Sequence, residues 1–172
     1  MQSFFRTFLA IAQSRQGPRD LPPSWPLLLL SGALSLLTSI LQSRLLFGPA
    51  GALTQGLADL TLTAVFFALV LLLRGCRHRL LQTLIAIFGV GTLFALPMLG
   101  ILLVRQSLGS THVLSAMLSL ASVPLLLWYL VVLGRLVKAA LEVPFVLGFV
   151  CAMIYVALGY WLIPLVSTMA VV

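Results

Sequence analysis

The chain has 172 residues, of which 62% are hydrophobic and 8% are charged, and its formal net charge is +7. Soluble domains carry about 25% charged residues and still expose about 30% of their extended-chain area at this size, so the composition excludes a soluble globular fold. The ten Lys and Arg residues are dispersed between apolar runs, unlike the clustered basic face of a nucleic-acid-binding protein, so we expect no nucleic-acid partner. The composition indicates an all-α integral membrane protein.

The first segment, residues 1–20, mixes apolar and polar side chains. Its Phe4, Phe8, Ile11 and Ala12 recur at the spacing of one helix face. This pattern predicts a short N-terminal amphipathic helix that lies in the membrane interface. A helix that simply packs against the rest of the protein fits the same pattern equally well.

Five apolar runs follow, each of about the 20 residues that an α-helix needs to cross the hydrocarbon core. The connections between them are short, so residues 1–172 are predicted to form a single membrane domain, a five-helix transmembrane bundle. The predicted spans cover about residues 26–46, 51–73, 80–104, 112–134 and 143–166.

The basic residues divide unequally between the two ends of these spans. Eight lie at one end and two, Arg44 and Arg105, lie at the other. Cytoplasmic segments carry the excess of Lys and Arg, so the division predicts a cytoplasmic N-terminus and a C-terminus on the outer, periplasmic side. Nine Arg against one Lys suits a GC-rich bacterial gene, and a bacterial inner membrane is the predicted location. The eight residues are Arg6, Arg15, Arg19, Arg74, Arg77, Arg79, Arg135 and Lys138.

Small residues recur every four positions in several spans. Ser31, Ser35 and Ser39 do so in the first span, and Gly148 and Ala152 in the fifth. Lipid provides no hydrophobic drive between helices, so such stripes favour close helix packing.

Asp59 is the most informative polar residue, because a carboxylate in hydrocarbon costs about 2.5–3.5 kcal/mol on insertion scales. One interpretation is a proton or cation site within the bundle. The other places Asp59 near the headgroups, about 12 Å from the outer end of its span by helix rise, where it would pair with Arg44, Arg105 or His112. Asp59, Arg44, Arg105 and His112 are therefore the candidate functional polar set.

A strongly basic connection between the second and third spans contains Arg74, Arg77 and Arg79. These three arginines are candidate contacts for anionic lipid headgroups. The alternative is that they only fix the topology.

No motif for catalysis, metal binding or cofactor binding is present. The two cysteines, Cys76 and Cys151, have no metal-ligand spacing. The three acidic residues are too far apart in sequence to predict a Mg²⁺ site for phosphoryl transfer. We therefore expect no enzyme activity and no cofactor.

Two segments carry a family resemblance: residues 17–22 (GPRDLP), before the first span, and residues 128–135 (WYLVVLGR), where a Trp-containing span closes on a basic loop. They resemble the Yip family of membrane proteins that interact with Ypt and Rab GTPases, together with its bacterial relatives. The family's layout of five closely spaced spans after a cytoplasmic N-terminus is similar over most of the chain. The long acidic and proline-rich N-terminal region of eukaryotic members is missing. The resemblance implies a short, bacterial-type, non-enzymatic inner-membrane protein that affects bilayer organisation or partner assembly.

Three functions follow as hypotheses. The first is a non-catalytic subunit or organising factor of a membrane complex or of lipids, whose partners are membrane lipids and other membrane subunits or copies of itself. The second is a small transporter or channel component that uses Asp59, which requires a wet cavity reaching that residue. The third is a membrane enzyme acting on lipid, which requires several convergent polar side chains at one depth.

Overall fold

The computed structural model describes residues 23–108 and 113–169, and this part of the chain is helical with short turns. Five helices in it are long and apolar enough to cross a membrane. The predicted all-α, five-helix fold is therefore confirmed, whereas the predicted interfacial helix at residues 1–20 lies outside the described residues. The helices are α1 (Trp25–Phe47), α2 (Ala52–Leu73), α3 (Leu80–Leu108), α4 (Val113–Leu141) and α5 (Phe145–Met169), with a 3-10 turn at Arg77–Arg79 before α3.

The helices end where the backbone leaves the right-handed region. Gly48 and Gly51, with φ of 91° and 82°, form the turn between α1 and α2. Glycine adopts such angles without the steric penalty of a Cβ. Glu142 has a φ of 55° and terminates α4, and Pro144 then precedes α5, where its missing N–H costs little.

Two helices extend well beyond the ends of the predicted spans. α3 continues to Leu108 and α4 to Leu141, whereas the predicted spans ended at residues 104 and 134. The prediction for α4 stopped at the first charged residue, but the exposed side chains of Arg135 and Lys138 lie on the helix itself. Long basic side chains are good helix formers and extend toward the membrane surface, so charge does not end a helix.

The five helices form a closed ring in the order α1, α2, α5, α4, α3, and each packs against its two neighbours. Of the pairs that face each other across this ring, only α2 and α3 make substantial contact in the described part of the chain. We call the end with Arg74, Arg77, Arg79 and Lys138 the basic end, and the end with Phe47 and Leu108 the opposite end.

The half of the ring nearer the basic end is densely packed. Every residue from 83 to 90 of α3 is buried there, against Phe67 of α2 and Leu133 of α4. α4 and α5 approach most closely at Gly134 and Gly148. A Cβ on Gly148 would collide with the carbonyl oxygen of Gly134 and lie 2.9 Å from the backbone nitrogen of Lys138. Small residues therefore permit the α4–α5 contact.

The other half of the ring is much less tightly packed. Between Val113 and Tyr129, the first half of α4, Ser115 is the one buried residue. Pro124 lies within this stretch, and proline inside a helix bends it and removes a backbone hydrogen bond. The helices therefore enclose a space in the half nearer the opposite end.

Candidate intramembrane cavity

A cavity of about 550 Å³ occupies the less tightly packed half of the ring, and all five helices contribute to its wall. It extends from Thr63 and Ile87 at mid-bundle to Phe47, the last residue of α1. Ligand pockets of drug-sized molecules have volumes of about 300–1,000 Å³, so this space is large enough for a small organic molecule.

Asp59 of α2 lies in the wall of this cavity and is partly buried. The hydroxyl of Ser39, from α1, donates a 2.6 Å hydrogen bond to its Oδ2 atom. This short, charge-assisted bond fixes one carboxylate oxygen. In the described part of the chain, no residue donates a hydrogen bond or an ion pair to the other oxygen, Oδ1.

Thr63 and Tyr155 form a second polar contact, one helical turn deeper than Asp59. The Thr63 hydroxyl donates to the carbonyl oxygen of Asp59 at 2.7 Å and lies 2.8 Å from the Tyr155 hydroxyl. Because a threonine hydroxyl has a single proton and a carbonyl oxygen can only accept, we assign Tyr155 as the donor to Thr63. The phenol oxygen of Tyr155 then acts as an acceptor, and the hydroxyl of Tyr129 donates to it.

Other polar groups of the wall are also committed to the protein as donors. Thr38 donates to the carbonyl oxygens of Leu34 and Ser35, and Ser122 donates to that of Ser119. Gln42 donates from Nε2 to the carbonyl oxygen of Ala95 at 3.1 Å, two residues before Pro97. Its second Nε2 hydrogen remains a donor, and its Oε1 atom remains an acceptor.

Aromatic side chains cover much of the remaining wall. Phe94 stacks edge-on against Trp128, with ring centroids 5.2 Å apart, and contacts Tyr129 at 5.5 Å. Phe94, Tyr129, Tyr155 and Tyr160 all line the cavity. The site therefore combines one carboxylate and several acceptor oxygens with an apolar, aromatic surface.

The structure does not bring the predicted polar set together. Asp59 lines the cavity, but Arg44 and Arg105 do not, and neither forms an ion pair with Asp59. His112 lies outside the described residues. The expected pairing of Asp59 with Arg44 or Arg105 is therefore absent from the part of the chain that the structure describes.

Among the candidate headgroup contacts at the basic end, Arg79 has protein partners. Its Nη2 atom lies 2.9 Å from Oε1 of Glu142, and its Nη1 atom donates to the carbonyl oxygen of Ala140 at 3.4 Å. Arg79 thus joins the start of α3 to the end of α4. Arg74 and Arg77 are exposed at the same end, where headgroup contact stays a prediction.

Sequence reasoning identified Asp59 but not its partners. Ser39 belonged to a stripe that predicted helix packing, and Tyr155 was not singled out. The available signal was the coincidence of a polar α1 face, formed by Ser35, Ser39 and Gln42 at helical spacing, with a carboxylate in the next span. Such a face in hydrocarbon points inward.

Comparisons with known proteins provide no relative. No family model matches the chain, and neither a curated protein nor a solved structure matches it. The resemblance to the Yip family therefore gains no support. Among the described residues, no group of three His, Cys, Asp or Glu side chains is arranged to hold a metal ion. What the described residues define is a polytopic membrane protein with a largely apolar cavity that carries one carboxylate.

Proposed function

We propose that the protein is a non-enzymatic polytopic membrane protein that binds a small molecule in its intramembrane cavity, as a transporter or channel component. The observation that carries this proposal is Asp59 in the wall of a cavity of about 550 Å³. A dry, tightly packed environment around Asp59 would have favoured a purely structural role. The partly buried carboxylate and the surrounding hydroxyls instead favour a ligand site.

The location of the cavity supports the same proposal. It lies in the half of the bundle away from the basic end. If the basic end is cytoplasmic, as the positive-inside rule predicts, ligand enters from the periplasmic side of a bacterial inner membrane. The role of an assembly or lipid-organising factor with other membrane subunits stays a prediction that no contact of the described residues favours.

Thiol labelling tests whether water and solutes reach the cavity. Ser122→Cys places a thiol in the cavity wall. Leu120→Cys places one two residues nearer the start of α4, at a site that is 73% exposed and does not line the cavity. Both cysteines are introduced into a background in which the native ones are replaced, Cys76→Ser and Cys151→Ala, and labelling is measured in nanodiscs. A thiol that faces lipid stays protonated and unreactive. We therefore expect Ser122→Cys to react with a water-soluble methanethiosulfonate at least about tenfold faster than Leu120→Cys.

A pair of glycine substitutions provides the control. Gly91 lines the cavity, and a Cβ there meets no atom within 4 Å. Gly100 does not line the cavity, and a Cβ at that position also meets no atom within 4 Å. Gly91→Leu should therefore slow labelling of Ser122→Cys, and Gly100→Leu should not. Equal labelling of Ser122→Cys and Leu120→Cys, unaffected by Gly91→Leu, would overturn the proposed function.

A further inference from the structure

The direction of the hydrogen bonds in the cavity wall restricts what it binds. Ser39, Thr38 and Ser122 each donate their one hydroxyl proton to a protein oxygen. Tyr155 donates to Thr63, whose own proton goes to the carbonyl oxygen of Asp59. A hydroxyl whose proton is committed offers a ligand only lone pairs.

The remaining polar groups are mostly acceptors or adaptable hydroxyls. Oδ1 of Asp59 and Oε1 of Gln42 have no hydrogen to donate, whereas the second N–H of Gln42 Nε2 and the Tyr160 hydroxyl are donors. Ser35 and Ser43 have hydroxyls that turn to accept or donate as a ligand requires. No Lys, Arg or His is among the described residues that line the cavity. Among the described residues, the wall therefore carries one carboxylate, no basic side chain, and more acceptors than uncommitted donors.

We infer that the cavity takes a protonated organic amine with an apolar or aromatic body, whose ammonium group is held by Asp59; this inference rests on the proposed function. An ammonium group supplies N–H donors to acceptors that the protein leaves unused, and its charge neutralises the carboxylate. The rings of Phe94, Tyr129 and Tyr155 surround the same space and attract a cation through their faces.

Other ligand classes fit the wall less well. A carboxylate or phosphate would meet Asp59 with like charge and would find few donors. A bare metal cation needs about six oxygen ligands at 2–2.6 Å, and a cavity of about 550 Å³ is far larger than such a cage. A neutral alcohol would leave the Asp59 charge uncompensated in a low-dielectric site.

Three ligands of nearly equal size and different charge test the inference: 4-phenylbutylammonium, 4-phenylbutanol and 4-phenylbutanoate. Each is titrated against the protein in nanodiscs, and binding is followed by the rise in unfolding temperature and by protection of Ser122→Cys from N-ethylmaleimide. We expect the amine to bind at least about tenfold more tightly than the alcohol, and the carboxylate not to bind.

Asp59→Asn tests whether the Asp59 carboxylate is the group that binds the charged end of the ligand. It should weaken amine binding at least about tenfold and leave binding of the alcohol nearly unchanged. Glu142→Gln, which removes a carboxylate at the basic end, should change neither. A second readout distinguishes this inference from the function on which it rests, because Gly91→Leu should abolish binding of every ligand that uses the cavity.

The outcomes separate two claims: that the cavity binds a ligand, and that this ligand is an amine. Binding of the alcohol or carboxylate as tightly as the amine, lost in Gly91→Leu, would retain a binding cavity and overturn the amine specificity. Amine binding that survives Asp59→Asn would do the same. Binding of no ligand, or binding unaffected by Gly91→Leu, would contradict both claims, and a preference for Na⁺ or K⁺ over the amine would assign the site to an inorganic cation instead.

Discussion

Asp59 is unusual at the residue scale because its one described side-chain partner is the neutral hydroxyl of Ser39. A charge in a low-dielectric setting that lacks an ion-pair partner is retained at a cost to stability. Asparagine has nearly the same shape, and its Oδ1 atom can accept the Ser39 proton.

Asp59→Asn should therefore leave the unfolding temperature unchanged or raise it, even though it weakens amine binding. Functional sites commonly show this opposition between stability and binding. Thermal unfolding in nanodiscs without ligand measures the stability. A clear fall in unfolding temperature would indicate instead that the carboxylate has a structural partner and that Asp59 contributes to folding.

The Thr63–Tyr155 pair predicts that Thr63 contributes more to stability than a threonine that bonds only within its own helix. The Thr63 hydroxyl donates to the carbonyl oxygen of Asp59 and accepts from the Tyr155 hydroxyl. Thr63→Val therefore leaves the buried phenol hydroxyl of Tyr155 without this acceptor. An ordinary hydrogen bond contributes about 1 kcal/mol, whereas stranding a buried polar group costs about 1–3 kcal/mol.

We therefore expect Thr63→Val to lower the free energy of unfolding more than Thr61→Val does. Unfolding titrations in mixed detergent micelles compare the two variants, and Tyr155→Phe with the double variant Thr63→Val/Tyr155→Phe completes a mutant cycle for the Thr63–Tyr155 bond. Thr61→Val is the matched control, because the exposed Thr61 hydroxyl bonds only to the carbonyl oxygen of Leu57 in its own helix. Equal losses from Thr63→Val and Thr61→Val would contradict the assigned donor direction.

At the scale of elements, the sequence predicted where helices run better than how they face each other. Apolar run length locates each span, because the bilayer thickness fixes it. The rotation of a helix about its axis depends on contacts with distant segments. The Ser39–Asp59 bond joins residues 20 apart, and Thr63 and Tyr155 are 92 apart. The carboxylate of Asp59 could be identified from the sequence, but the cavity beside it is formed only when the five helices pack into the ring.

Gly148 provides a stability test of the α4–α5 contact. Gly148→Ala forces a Cβ into the backbone of α4 at Gly134, and overpacking of this kind costs about 1–3 kcal/mol. Gly100→Ala is the matched control, since a Cβ at Gly100 meets no atom within 4 Å. Alanine is about 0.5–1 kcal/mol better than glycine inside a helix, so the control should be neutral or stabilising. Gly148→Ala should thus lower the unfolding temperature whereas Gly100→Ala should not, and an equal fall in both variants would contradict this packing.

At the scale of the whole molecule, the two halves of the bundle differ in how tightly their helices pack. Near the basic end, the packed core and the Arg79–Glu142 ion pair hold α3, α4 and α5 together. Toward the opposite end, the same helices separate around the cavity. A firmly packed half that supports an accessible half is an arrangement suited to binding, because the rigid part positions the groups that contact ligand.

The distribution of charge then predicts which side of the membrane the cavity faces. Cys76 lies in the turn at the basic end, and Ser107 lies near the last turn of α3 at the opposite end and is exposed. With Cys76 as the single cysteine, after Cys151→Ala, a membrane-impermeant maleimide should label the protein only once the cells are permeabilised. With Ser107→Cys as the single cysteine, intact cells should be labelled directly.

The same orientation governs how ligand reaches Asp59. In right-side-out vesicles, externally added 4-phenylbutylammonium should protect Ser122→Cys within the mixing time. In inverted vesicles, protection should wait until the uncharged form of the amine has crossed the bilayer. The permanently charged 4-phenylbutyltrimethylammonium, which crosses far more slowly, serves as the control, since any protection it gives should appear from the outer face alone. Immediate protection by the amine in inverted vesicles would show that the cavity opens to the cytoplasm, and so would contradict the topology without removing the site.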